Sequence, residues 1–438
     1  MEVKVVSSKL VKPSYPAGAP QPDTSEHVPS SLFDKVTYNI QMAIIYAFRS
    51  PAPSSADIER GLAEVLGVHR MFAGQVRRGP DGEPGVLLND HGARLMEACV
   101  DANLADIAPA KPSPVVLQLH PGLEGEIEEV VQVQLTRFAC GSLAVGFTAN
   151  HAVADGHATS DFLVAWGRAA RGLAVGPSPP HHHPDLFRPR DPPLVDFEHR
   201  NVEYYRPPPS AAAAGNDKHG EAHHNIVIHK AHFTKDFIAR LRATASEGRG
   251  RPFSRFETIL AHVWRTMTRA RGLGNPLQTS TIRISVDGRQ RLSAPAGYFG
   301  NLVLWAFPRA TVGDLLNRPL KHAAQVIHDA VARMDAPYFR SFIDFVSSGA
   351  VESEGLAPTA VLKDVLCPDL EVDSWLTFPF YELDFGTGSP TYFMPSYFPT
   401  EGMLFLVPSY LGDGSVDAFV PVFEHNLEAF KQSCYSME

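Results

Sequence analysis

The chain has 438 residues, 44% of them hydrophobic and 20% charged, with a formal net charge of −9. That length is long for one core and predicts two domains of ordinary globular composition. The acidic balance argues against a nucleic-acid binder, and no stretch approaches the roughly 20 apolar residues of a membrane span.

Gln41–Phe48 reads as a strand, and Ser54–Leu66 as a helix with Ser54 or Ser55 as its cap and Glu59 in its first turn. Val86–Leu88 and Val115–Leu119 read as short strands. Val130–Phe138 and Ser142–Asn150 alternate apolar and polar residues, as half-buried strands do. Phe162, Leu163, Trp166 and Ala170 recur at helical spacing, so a helix begins near His157. From Pro177 to His224 come prolines, a triple histidine at His181 to His183, four alanines at Ala211 to Ala214, and His219 and His223. Such composition buries no core and predicts a long crossing linker; its histidines lack a helix or strand to hold them as metal ligands. Within it, Leu194–Tyr205 is less biased and is expected to lie against the protein surface.

Beyond the linker, Asn225–Phe233 reads as a strand and Thr234–Thr244 as a helix. Ser254–Arg271 is an amphipathic helix expected to bury Phe256, Ile259, Leu260, Val263 and Trp264. Strands are expected at Thr281–Val286, Leu302–Phe307 and Met403–Tyr410, with one helix over Val312–Met334. Val416–Val422 and Asn426–Ser433 form a last strand and helix. This mixed order predicts an α/β protein. No apolar h-region follows Met1-Glu2-Val3-Lys4, and Cys99, Cys140, Cys367 and Cys434 stand at distant, irregular spacings. The expectation is a cytoplasmic protein with reduced thiols and neither a disulfide framework nor a zinc site.

The tract His151-Ala152-Val153-Ala154-Asp155-Gly156 lies where an expected strand gives way to an expected helix. An imidazole at a strand tip suits a general base, because histidine titrates near neutral pH; a structural histidine is the alternative. His151, Asp155 and His157 invite a metal reading, but no helical His-x-x-x-His pair accompanies them, and no metal is expected. There is no Gly-x-Ser-x-Gly elbow and no P-loop, and Gly272-Leu273-Gly274 follows a helix rather than a strand. Three further tracts stand out: Ser285-Val286-Asp287-Gly288-Arg289-Gln290-Arg291, Tyr298-Phe299-Gly300-Asn301, and Pro379 through Asp384-Phe385-Gly386. Each alone admits a solvated-turn or structural reading.

Together, His-x-x-x-Asp-Gly, Val-Asp-Gly-Arg, Phe-Gly-Asn and Asp-Phe-Gly, in that order, resemble the signature of the plant BAHD acyltransferases over nearly the whole chain. Ser374-Trp375, Met394-Pro395-Ser396-Tyr397-Phe398 and Gly412 through Ala418 look like the hydroxycinnamoyl-CoA:amine N-acyltransferases of grasses, which include the agmatine and putrescine enzymes. The resemblance implies an α/β fold of two chloramphenicol-acetyltransferase-like domains. Residues 1–176 would form the first domain, 177–224 the crossover, and 225–438 the second. It implies a monomer that transfers a hydroxycinnamoyl group from CoA to an amine such as putrescine or agmatine. His151 would be the base, with no covalent intermediate and no cofactor, acyl-CoA being a co-substrate. An alcohol acceptor, or tryptamine or tyramine, is the alternative within the family.

The same resemblance makes Asp155 a structural residue paired with Arg289, and Asp384 a fold-holding one. Where the family has Asp-Phe-Gly-Trp-Gly, this chain has Asp384-Phe385-Gly386-Thr387-Gly388, so either Thr387 takes the tryptophan's place as oxyanion donor through a different geometry or another donor replaces it. Where relatives that acylate shikimate carry an acceptor-gripping arginine, Thr377 stands here. Glu371 and Asp373 lie just upstream, on one face of an expected strand by period two. They read either as receivers of a cationic amine, with Trp375 capping its aliphatic part, or as solvent-facing strand residues. Ser254 and Arg255 match the family's CoA contacts at a helix N-terminus; an N-cap serine beside an exposed arginine is the plain alternative.

Overall fold

The computed structural model describes residues 2–107, 112–176, 184–208 and 225–437. His181 to His183, Ala211 to Ala214, His219 and His223 lie outside the described residues. Two units emerge, each on its own sheet. The first takes Met1–Phe187, Ser293–Leu302 and Phe378–Tyr397; the second takes Arg188–Leu292, Val303–Thr377 and Phe398–Glu438. The units interleave in sequence, because two short stretches from beyond residue 292 cluster with the first.

The first unit carries a six-stranded sheet in the order Lys4–Val11, Ala93–Val100, Val131–Phe138, Leu143–Asn150, Gln41–Phe48, Tyr392–Pro395. All neighbours run antiparallel except Ala93–Val100 and Val131–Phe138. The helices Ser55–Val68 and Gly156–Ala170 lie against one another closely enough that a Cβ on Gly61 would sit 2.4 Å from the Ala170 nitrogen. Trp166 locks the pair by donating its indole N–H to the Ile58 carbonyl at 2.9 Å, and Phe162 and Trp166 pack on Phe147 of the sheet. A helix so fixed gives its N-terminal turn, which follows His151, a rigid seat.

The two strands around residues 131–150 are not half-buried. Gln132, Gln134, Thr136 and Thr148, the polar positions of the alternation, are buried along with the apolar ones. Their face is covered by Pro114–Leu119, expected as a strand and found as a 3₁₀ helix. Pro114 in its first turn has no N–H to give a ladder and a φ already set for a helical turn. Gln134 donates to the Gln118 carbonyl at 2.7 Å, and Gly146 admits that segment so tightly that a Cβ would fall 2.1 Å from the Leu119 oxygen.

The second unit has a sheet in the order Ile226–Phe233, Val416–Phe423, Met403–Pro408, Leu370–Ser374, Thr279–Asp287, Val303–Ala306, with Arg309–Thr311 also pairing to Thr279–Asp287. The helix Arg255–Ala270 buries Ile259, Leu260, Val263 and Trp264, whereas Phe256 in its first turn is only half-buried. The helix expected over Val312–Met334 is two, Val312–Asn317 and Leu320–Ala332. Pro319 breaks it, lacking an N–H and pushing Arg318 to extended backbone. A further helix, Ala336–Ser347, anchors the described part of the crossover. Its Asp344 carboxylate accepts from the Arg190 backbone and side chain and from the Leu194 N–H, at 2.6 to 2.9 Å. His199 and Glu203, fully buried, bond to each other and to Ser341 and Tyr338. Leu194–Tyr205 is thus partly an interior segment, not only a surface one.

Candidate active site

His151 follows the last residue of the Leu143–Asn150 strand, in a turn before the Gly156–Ala170 helix. Its backbone is held on both sides: the N–H donates to the Ile40 carbonyl at 2.8 Å, and the carbonyl accepts from Asn301 Nδ2 at 2.9 Å. The imidazole Nδ1 lies 3.5 Å from the Thr37 hydroxyl. Asn150 reinforces the turn by accepting the Ala152 N–H on its side chain and the Val153 N–H on its carbonyl.

Asp155 is the helix N-cap, 2% exposed, with one carboxylate oxygen accepting from Ala158 N–H and the other from Leu302 N–H, both at 3.0 Å. A carboxylate there also answers the positive end of the helix. Asp155 therefore faces backbone donors of the fold, as a structural residue does. Arg289 belongs to the second unit, where it is buried and bonded to Asp287 through its N–H at 2.8 Å and its guanidinium at 3.3 Å.

Thr387 is not part of this centre. The chain from Phe378 onward follows the Gly156–Ala170 helix from its N-terminus to its C-terminus. A Cβ on Gly156 would lie 2.6 Å from the Phe378 ring, whereas one on Gly167 would meet the Asp384 backbone at 2.8 Å. Asp384 then pairs with Arg171, the helix C-cap, at 3.1 Å and accepts the N–H groups of Gly386 and Gly388. Fifteen helical residues rise roughly 22 Å. Thr387, an exposed residue in the Asp384 loop, thus sits at the far end of the helix from His151, beyond reach of an oxyanion formed there. The matching motif invited an oxyanion role that the backbone path removes.

In the second unit, Glu371 and Asp373 share one face of the Leu370–Ser374 strand, beside Arg283 and Ser285 of the neighbouring parallel strand. Ser285 donates its hydroxyl to Asp373 at 2.8 Å, and Arg283 approaches Glu371 at 3.9 Å while lying 4.0 Å above the Trp305 ring. Glu371 is buried and Asp373 half-buried, so the solvent-facing alternative fails for Glu371. Trp375, buried, packs on Phe405 with ring centroids 5.1 Å apart.

Ser254 caps the Arg255–Ala270 helix: its hydroxyl accepts the Glu257 N–H at 3.1 Å and its own N–H goes to the Glu257 carboxylate. Arg255 donates to the Gly414 carbonyl at 3.3 Å. Beside this cap opens a cleft of about 460 Å³ whose polar lining mixes Glu257, Asp335 and His328 with Arg291. Among the described residues no cluster of histidine, cysteine and acid could hold a metal ion, and no helix is long and apolar enough to cross a membrane.

The first unit also contains contributors that the sequence hid. Asp34, in the short helix Leu32–Val36, accepts both the N–H and the Nδ2 of Asn301 on one oxygen, at 3.0 and 2.8 Å. A serine three residues before an acid, Ser31 before Asp34, was the legible signal of a helix start, but nothing in it pointed across to residue 301.

Comparison with known proteins places these residues in a lineage. The model of the Transferase family matches residues 1–437. The chain is 84% identical to a putrescine hydroxycinnamoyltransferase of Oryza sativa subsp. japonica, over 100% of both chains. It is 74% identical to putrescine hydroxycinnamoyltransferase 3 of the same plant, again over 100% of both. Among solved structures, vinorine synthase is similar with a TM-score of 0.72 at 22% identity, covering 98% of this chain and 96% of that one. The last likeness establishes the two-domain α/β acyltransferase fold.

Proposed function

The chain belongs to the Transferase (BAHD) family, and from that premise we propose that it acylates putrescine with a hydroxycinnamoyl group drawn from CoA. The observation that carries the reading is a histidine fixed at a strand end in a chain that matches putrescine hydroxycinnamoyltransferases from end to end.

The chemistry asks little beyond that histidine. The neutral amine nitrogen attacks the thioester carbonyl and forms a C–N bond. His151 takes the proton the nitrogen sheds; the C–S bond breaks, and the same proton goes to the departing thiolate. The products are an amide and free CoA, with no covalent enzyme intermediate. A base so placed contributes roughly 10²–10⁴-fold. Acyl-CoA is a co-substrate here, not a bound cofactor, and Ser254 and Arg255 are its candidate contacts. Glu371 and Asp373 are the candidate receivers of the cationic amine, with Trp375 against its aliphatic part, a choice of residues that suits a diamine better than a neutral alcohol. The protein works as a cytoplasmic monomer.

The test is direct. Purified protein with p-coumaroyl-CoA is offered putrescine, agmatine, tryptamine, tyramine and shikimate separately, and free thiol and acylated product are followed together. Putrescine should give the amide fastest. Shikimate ester as the main product, with no amide from any amine, would overturn the reading.

A further inference from the structure

Both backbone polar groups of His151 are taken by other segments, Ile40 from one side and Asn301 from the other. With its N–H and carbonyl both engaged, the direction of its Cα–Cβ bond, from which the imidazole is carried, is set by those two segments. Asn301 is itself held. It is 1% exposed, and one hydrogen of its amide goes to Asp34 while the other goes to the His151 carbonyl. The reverse amide orientation would set its oxygen against two acceptors, so the hydrogen-bond network fixes which way it points. Asp34, 6% exposed, also accepts the Asn301 backbone N–H, and its second oxygen takes the Ser31 N–H. The next residue, Leu302, grips the other end of the same loop through Asp155. Gly300, at φ +130°, supplies the bend from which both grips follow, a backbone region glycine enters without strain.

We propose that Asn301 is a positioning residue for His151, and that the buried carboxylate of Asp34 holds Asn301 in that role. The inference rests on the acyl-transfer reading of His151. Asn301 acts through a backbone carbonyl and supports the turnover step, in which the imidazole must lie within hydrogen-bond reach of the amine. Displacement of a catalytic group by about 1 Å is enough to lower a rate roughly 10²-fold. Binding of either substrate does not pass through this bond, so the loss belongs in kcat.

The experiment compares the parent enzyme with Asn301→Ala, Asp34→Ala and the double variant, measuring kcat, both KM values and the thermal midpoint. Amide formation by the parent tests the acyl-transfer reading; only the ratio of variant to parent tests this inference. Asn301→Ala should lower kcat about 10–100-fold with both KM values within about twofold. Asp34→Ala should lower kcat in the same way, and the double variant should fall no more than about twofold below Asn301→Ala, because Asp34 acts through Asn301. If the alanine variants do not fold, Asp34→Asn decides in their place: it keeps the shape of the side chain but loses an acceptor, and should lower kcat at least about threefold with both KM values within about twofold. A folded Asn301→Ala enzyme, or a folded Asp34→Asn enzyme, with kcat equal to the parent would reduce Asn301 to a packing role. Losses that multiply in the double variant would remove Asp34 from the scheme.

Discussion

At the scale of single residues, His151 and Thr387 carry opposite expectations. His151→Ala should lower kcat by roughly two to four decades while acyl-CoA still binds, as an equilibrium titration of the folded variant would record. Thr387→Ala should leave kcat within about twofold, because the residue is exposed at the opposite end of the Gly156–Ala170 helix; a loss of tenfold or more would return it to the reaction. The placement of His151 was legible because a strand end before a helix is a local pattern. For Thr387, its position favours the alternative in which another group donates to the oxyanion, because a motif records neighbours in sequence, whereas such a donor needs a neighbour in space. Another histidine makes a pH prediction. His69 lies edge-on to Phe162 and Phe299, and burial there lowers its pKa to about 4. An unfolded histidine titrates near 6.5, so below that pH the unfolded chain takes up a proton that the native side chain refuses until about pH 4. The stability this provides is complete above about pH 6.5 and is lost as pH falls toward 4, at most about 3 kcal/mol. Urea unfolding at pH 7 and pH 4.5 should show a drop for the parent about 2 kcal/mol larger than for His69→Phe. Equal drops would exonerate His69.

At the scale of elements, most strands and helices followed from periodicity, and the departures have physical causes. The alternation in Val131–Phe138 and Leu143–Asn150 suggested a wet face, yet Gln134 is buried with its amide given to the Gln118 carbonyl and the Thr136 hydroxyl, and periodicity does not show which polar side chains find such acceptors. Pro319 sat inside a run whose apolar spacing continued on either side, so periodicity overrode a breaker that the backbone obeyed. The crossover misled through composition. Its proline-rich character hid a short stretch with buried anchors, because an anchor needs only a few side chains and a matching acceptor. Asp344 is such an acceptor, itself 1% exposed and bonded three times to Arg190 and Leu194. Asp344→Ala should destabilise the protein by roughly 2–3 kcal/mol, since it leaves a guanidinium and two backbone donors without their carboxylate. A urea midpoint unchanged from the parent would mean that the crossover is not tied down at this point.

At the scale of the whole molecule, two halves were legible in the mixed strand and helix order, but their interleaving was not. Ser293–Leu302 and Phe378–Tyr397 are short and lie among elements of the second unit, so nothing in their own composition assigns them to the first. That arrangement has a consequence for how the protein is made. The Gln41–Phe48 strand pairs with Tyr392–Pro395, and the turn at His151 leans on Asn301. While the chain is being synthesised, those partners arrive only after some 300 to 400 residues have left the ribosome. Until then, an apolar strand presents an open hydrogen-bonding edge of the kind that recruits other chains. A nascent chain stopped at residue 380 should therefore accumulate as aggregate or chaperone-bound material, and a soluble, cooperatively melting product from that truncation would show that the edge closes without its late partner. The rate at which active enzyme appears in a cell would then be governed by the delivery of its last tenth, and by whatever shields the waiting strand in the meantime.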